Sequence, residues 1–487
     1  MTPEAGEGGA RALCFWKRAG LLVLLAACTG TEEPLEEIGQ SLARYGATDA
    51  AAFVNELTVE DVLRLAVARN LDSRVKTMEE ALAAGKAEIA RHGLLPTLSL
   101  SASASAHAPR KETTSLNTTT GVRGTEYSTS EGNRGLTADL TVSWNLMDFG
   151  LALLRTEQAD DRVALAIEKR RRALHLLVQD VTAAYWRAVI NDYAERHYAS
   201  LEKHLRRSIE KTTAAQRAQV GNPMQILTYH RTLVDAMRQI AELQRQNTGA
   251  RAELAGFVGA PSSSLFRLKP ITDPALLPVL APREDMAEME SAALANRPEL
   301  RSEEAQYRID RNDIHAALLQ AIPGIGPFLG GHYDANTFLR HDIWTEIGVR
   351  VATNLTDLIT APARITQAET TDEVTKTRRL AVAMAVVTQV HVADIQYHHA
   401  YREYRLTEQM ADIDTKLSQL SGQARESGVG SEVDALKAEA TRMLSTLRRL
   451  NLYADLQTAR ARLDTTLGLD PPLPAPSADR RACHPGL

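Results

Sequence analysis

Three histidines, His391, His398 and His399, stand at i, i+7 and i+8 of a long helical stretch, and His197 and His204 repeat the seven-residue step. Seven residues make about two helical turns, so each set falls near one helix face. Imidazoles placed in this way could hold a metal cation in transit or simply lie solvated, and the spacing leaves both readings open. The cysteines, Cys14, Cys28 and Cys483, are far apart and show no CxxC spacing. A disulfide framework and a thiolate metal site are therefore excluded. The sequence contains no HExxH, no P-loop, no nucleophile elbow and no paired-carboxylate constellation. No catalytic residue, cofactor or resident metal is assigned, and the chain is expected not to be an enzyme. With 56 Lys+Arg against 61 Asp+Glu and a net charge of −5, it lacks the basic excess of a nucleic-acid binder.

Cys28 points to different chemistry. Arg11, Lys17 and Arg18 precede an apolar run, Ala19 to Ala27, that ends in small residues, the pattern of a secretory signal. The run is too short to span a bilayer as a helix. Leu25-Ala26-Ala27-Cys28 resembles the bacterial lipobox. That resemblance implies removal of residues 1–27 and acylation of Cys28, with palmitate, as the first mature residue. Thr29, which is not Asp, implies sorting to the outer membrane. Residues 28–56 are acidic and irregular, a tether.

The elements that follow describe a tall object. Leu57 to His92 reads as an amphipathic helix with Thr58 as its cap, and Leu94-Leu95-Pro96 leads into TLSLSASASA. After a polar loop from Pro109 to Gly135, Leu136, Ala138, Leu140, Val142, Trp144 and Leu146 alternate with Thr137, Asp139, Thr141, Ser143 and Asn145. A period of two gives a strand one apolar face and one polar face. From Leu151 to Gln219 neither Pro nor Gly interrupts a helix about 100 Å long at 1.5 Å per residue. The helix breaks near Gly221-Asn222-Pro223, and a second helix, 222–257, closes at Gly259. A Pro-rich linker, 260–284, follows.

Then the plan repeats. Asn296 echoes Asn70 at an offset of 226, and Ile322-Pro323 echoes Leu95-Pro96 at 227. Past the hairpin the offset becomes 209: Asn354 matches Asn145, Gly430 matches Gly221, Leu436 matches Leu227 and Gly468 matches Gly259. A constant offset over so many residues means helices of equal length in a tandem duplication of 57–259 and 285–468, with 469–487 as a Pro-rich tail. The second hairpin pairs an alternating strand, Ile343 to Leu355, with GIGPFLGGHY, whose Gly and Pro sit badly in a strand. Leu436, Ala440, Met443, Leu447, Leu450 and Ala454 form a coiled-coil seam.

Four strands cannot cross a bilayer alone, because their edges would present unpaired backbone groups to lipid at several kcal/mol each. Membrane barrels need eight or more strands, so several chains must contribute. The apolar face, Leu140, Val142, Trp144 and Leu146 with Ile347, Val349 and Val351, is expected to face lipid, with Trp144 near an interfacial girdle.

In this order the motifs resemble the outer-membrane efflux protein family, the TolC-like channels. The matching residues are Leu57-Thr58, Ala66, Asn70, Leu94-Leu95-Pro96, Ser143-Trp144-Asn145-Leu146 with Asp148 and Gly150, Asn296-Arg297-Pro298-Glu299-Leu300, and Gly428-Val429-Gly430-Ser431-Glu432-Val433-Asp434 with Leu436. The resemblance implies a membrane α/β fold. Three chains would form a twelve-stranded transmembrane barrel, four strands from each, continued by a long periplasmic α-helical coiled-coil tunnel. It implies a homotrimer serving as the passive exit duct of a tripartite efflux or type I secretion system, with a periplasmic adaptor and an inner-membrane transporter as partners. Outer-membrane lipid would surround the barrel. Adaptor docking and gating would fall at the tips, around Gly221, Asn222, Gly428, Gly430 and Asp434. The first tip lacks an acid equivalent to Asp434, and Asn354-Leu355-Thr356-Asp357-Leu358 departs from the family's junction. Two alternatives remain: a metal-cation exporter using tunnel histidines, and a structural envelope lipoprotein without transport. The signal itself yields a test. Cys28→Ser is expected to abolish incorporation of radiolabelled palmitate, with the chain still recovered in assembled form.

Overall fold

The structure, a computed structural model, describes residues 56–471 apart from 110, 218–221, 261–265, 283–284 and 431. The signal, Cys28, most of the tether, Gly221 and the end of the tail lie outside the described residues. The elements run α1 (Val59–Arg69), α2 (Leu71–His92), β1 (Thr97–Ala106), β2 (Arg134–Ser143), α3 (Leu146–Arg217), α4 (Pro223–Asn247) and α5 (Ala250–Phe257). They continue with α6 (Met286–Asn296), α7 (Pro298–Gln320), β3 (Gly324–Asp334), β4 (Ile343–Ala352), α8 (Leu355–Glu426) and α9 (Glu432–Thr466). The helix–helix–strand–strand–helix–helix plan is thus present twice. Helices α3 and α8 are each 72 residues long, about 108 Å at 1.5 Å per residue.

Helix starts follow from local chemistry. Thr58 and Asp61 form a reciprocal capping box at α1. Asn145 and Asn354, matched at the 209 offset, accept from Met147 N and Thr356 N, both at 3.0 Å. The same side-chain cap therefore opens both long helices. It also moves the first junction: α3 begins at Leu146, not Leu151. Leu146 belongs to the helix and not to the strand, and Trp144 sits in the connection after β2.

Two expected helices are split. Asn70 closes α1 and caps α2 through Ser73 N at 3.0 Å, with an extended ψ of 125°. Its counterpart is Arg297, at ψ 128° and followed by Pro298. The structural offset is therefore 227 here as well, because Asn70 N and Arg297 N bond to Ala66 O and Ala293 O. The 222–257 run breaks at Gly249, whose φ of +92° suits glycine and ends the helical path. Helix α9 continues through the matched position unbroken.

The strands form one antiparallel sheet in the order β1-β2-β3-β4. Registers Leu98↔Val142↔Leu329↔Ile347 and Leu100↔Leu140↔Gly331↔Thr345 carry one apolar face across all four strands. Three glycines of the sheet, two of them in β3, admit a neighbour. A Cβ on Gly326 would lie 2.7 Å from the Trp144 carbonyl oxygen, one on Gly348 would lie 2.8 Å from Phe328, and one on Gly330 would lie 2.7 Å from His332 Nε2. A backbone carbonyl and two rings thus occupy the space beside these glycines. Pro327 O accepts from Trp144 N at 3.2 Å beyond the end of the β2–β3 ladder. Its missing N–H faces that same side, so no rung with β4 is lost.

The core sits at the waist of the helical body. Tyr185, Trp186 and Tyr453 meet edge to face, at centroid distances of 5.3 and 4.9 Å. The Pro-rich linker is more than a spacer. Leu57 and Leu268 bridge in parallel, Phe266, Leu268 and Ile271 are buried, and Tyr453 and Tyr397 donate to Pro278 O and Leu280 O. This segment wraps the helices as a belt. Removing either long-helix cap, Asn145→Ala or Asn354→Ala, is expected to cost about 1 kcal/mol. Gly326→Ala, which forces a backbone clash, is expected to cost about 2–3 kcal/mol, and thermal unfolding in detergent orders the three variants.

Candidate functional site

Two regions carry what a transport path requires: the sheet faces and the far ends of the helices. On the apolar face Leu140, Val142, Ile347, Val349 and Val351 are all exposed, with Ile347 83% accessible. Trp144 and Leu146 are exposed just beyond the strand, and Trp144 meets Phe149 edge to face at 5.7 Å. The opposite face carries Ser99, Ser101 and Ser103, Thr137, Asp139 and Thr141, His332 and Asp334, and Glu346 and Arg350. Among the described residues nothing pairs with the outer edges of β1 and β4.

Because α3 and α8 both leave the sheet and have equal length, their turns into α4 and α9 fall at the same end of the molecule. Asn222 caps α4 through Met224 N at 3.0 Å, with Pro223 at the first helical position. At the second turn Gly428 takes φ +76°, and a Cβ on Gly430 would lie 2.9 Å from Ala424. One glycine is needed for its backbone angle, the other for space. Asp434 is exposed in the first turn of α9. Met224 and Val429 project into solvent, Val429 at 88%.

The pairing of α8 with α9 is pinned by a residue that the pattern does not announce. Arg449, 5% exposed, reaches Glu408 at 2.7 Å and Asp412 at 3.6 Å, and lies over the Tyr404 ring. It stands one residue from Leu450 of the apolar seam, so heptad reading passes over it. Arg448 donates to Gln239 of α4 at 2.6 Å. Closer to the tip, Glu439 accepts from Ser418 of α8 at 2.7 Å and from Arg442 at 2.7 and 3.0 Å. Of the histidines, His391 pairs with Glu290 at 2.7 Å and His398 approaches Asp394 at 3.6 Å. Among the described residues no group of three or more His, Cys, Asp or Glu is arranged to hold a metal ion.

Glu439 makes the tip sensitive to acid. Hydrogen bonds from Arg442, helped by Ser418, hold its carboxyl below the ordinary 4.5 against the upward push of burial. A carboxyl depressed by folding stabilises the folded form above its unfolded value and loses that contribution as pH falls through the folded one. Hydrogen-exchange protection around Ser418 and Glu439 is therefore expected to hold from about pH 7 down to about pH 4.5 and to fall at lower pH. Glu439→Gln is expected to be less protected at the higher pH and to change less on acidification.

The comparisons fit this geometry. Residues 62–260 and 290–469 match the model of the outer membrane efflux protein family. No curated protein matches the chain significantly. Among solved structures, the outer-membrane channel OprN superposes with TM-score 0.65 at 17% identity, covering 85% of this chain and 91% of that one. The Neisseria gonorrhoeae outer membrane channel MtrE, in its open state, gives 0.61 at 20% identity over 85% and 89%. The Vibrio cholerae outer membrane protein VceC gives 0.61 at 14% identity over 84% and 96%. At these identities the likeness establishes the fold. It is the barrel-and-tunnel architecture with an internal repeat, which the family builds as a trimer, and that family is one of transport channels and not of enzymes. The chain belongs to the outer membrane efflux protein family.

Proposed function

We propose that the chain is the outer-membrane exit duct of a tripartite efflux or type I secretion system. The observation that carries this reading is the open four-stranded sheet, with a continuous apolar face and two unpaired edges. Lipid tolerates no such edge, and three copies joined β4 to β1 would close it into a twelve-stranded barrel. The apolar face then meets lipid and the polar face lines water.

The helices support the same closure. Helix α2 exposes Leu71, Val75, Met78, Leu82 and Ile89, and α8 exposes Leu406, Met410, Ile413, Leu417 and Leu420. Both run in steps of three, four or their sum, the spacing of a coiled-coil seam seeking a partner. An 18-residue stretch of α8, with mean hydropathy 1.3, is apolar enough to cross a membrane by composition, yet α8 packs along α6, α7 and α9 as part of the helical wall. Two different seams on one chain make a head-to-tail contact, which closes as a ring.

In this duct an inner-membrane transporter supplies energy and selection, and a periplasmic adaptor meets the tips around Gly221, Asn222, Gly428, Gly430 and Asp434. Exposed Met224 and Val429 suit a protein partner there. Adaptor contact shifts the tips from closed to open by binding the open arrangement better. Acylated Cys28 anchors the periplasmic side to the outer membrane.

Detergent-extracted protein is expected to run as a trimer in size exclusion with light scattering, and to conduct in planar bilayers. Ile413→Lys with Leu417→Lys is expected to yield monomers of unchanged helicity, whereas unaltered trimers would remove that seam from the interface. Detergent-free soluble monomer would overturn the duct, and a trimer that never conducts would favour a structural envelope lipoprotein.

A further inference from the structure

His332 is the one histidine within the four strands, and it is held between carboxylates of two neighbouring strands. Its Nδ1 lies 2.7 Å from Asp139 Oδ1 on β2, and its Nε2 lies 3.5 Å from Glu346 Oε2 on β4. The ring stacks on Trp344 at 5.3 Å and 19°. Ser101 on β1 donates to Asp139 Oδ2 at 3.4 Å, so the row crosses the whole sheet. Nε2 is buried and makes no hydrogen bond, and the ring fits only because residue 330 has no side chain. The remaining charged groups on this face are Asp334 and Arg350. Asp334 accepts from Asn336 N at 3.0 Å, and Arg350 lies over Phe328 at 5.0 Å.

We propose that His332 is a specificity-determining residue of the duct, a proton-set charge on the barrel wall that lowers the cation preference of ionic conduction as the medium acidifies. The inference rests on the duct reading above, which turns this face towards water. With His332 neutral, Asp139 and Glu346 leave two negative charges per chain in the row, and with it protonated one remains. Of the side chains in this row, imidazole is the one that becomes positively charged by taking up a proton. Protonation needs no strand movement, because the new Nε2–H already faces Glu346. Threefold symmetry repeats the row around the lumen, and rings of like charge set ion selectivity in pores.

The test is the reversal potential of the full-length protein in planar bilayers under a KCl gradient, at about pH 8 and about pH 5.5. The wild type is expected to prefer cations at the higher pH and to lose roughly half of its reversal potential at the lower, as the row's net charge halves. His332→Gln, which keeps a donor for Asp139 without a titratable ring, is expected to conduct and to lose most of that shift. A shift equal to wild type in this variant would overturn the inference and leave the duct standing. Should His332→Gln fail to assemble, Glu346→Gln on the edge strand carries the test. Lowered cation preference at the higher pH supports the role of this row, and an unchanged preference sinks it. A wild-type protein that conducts at neither pH would bring down the duct reading itself.

Discussion

The constraint on which everything else depends is the backbone hydrogen bonding at the two free edges of the sheet. Along β1 and β4 the peptide groups of one side have no partner among the described residues. In water such edges are tolerable, but in a bilayer they are not. The sheet cannot curl shut on four strands, so the remedy must come from other copies. Each copy must then present its neighbours with the same two edges and the same two helix seams. The equal length of α3 and α8 follows from the same demand, because a wall of uniform height needs both halves of the duplication to reach equally far.

Duplication supplied two hairpins, and the second was adapted with glycine. Gly324 and Gly326 let the Trp144–Asn145 turn settle against β3, while Gly330 and Gly348 accommodate His332 and Phe328. Composition alone made this segment look like a poor strand. Gly324, Gly326 and Gly330 are places where a neighbouring group occupies the volume of the absent side chain.

What could be read from the sequence was whatever repeats locally. The period of two in β2 and β4, the 209 offset and the heptad of α9 are patterns of identity and spacing, and they stand in the structure. What escaped depends on single dihedrals or on distant partners. Asn70 is an ordinary polar residue until its ψ turns extended and its side chain caps α2, and Gly249 breaks one helix of a pair whose twin runs on. The belt formed by 266–280 was invisible because its contacts are with aromatic rings more than a hundred residues away. Arg449 and His332 owe their roles to helix pairing and strand register, which no local window encodes. Cys28 and Gly221 fall outside the described residues, and their roles rest on motif and duplication.

The two hairpin loops differ: the first spans residues 107–133, the second only 335–342. In a closed ring of three they would alternate, producing a scalloped rim of three tall arms and three low notches. The tall arms hold themselves up, with Thr113 bridged to Ser128 and Leu116 to Arg123. Almost everything such a molecule shows to the outside world would come from the first half of its duplicated sequence. That half could diverge under pressure from whatever touches the cell, while the second remained bound to the geometry of closure.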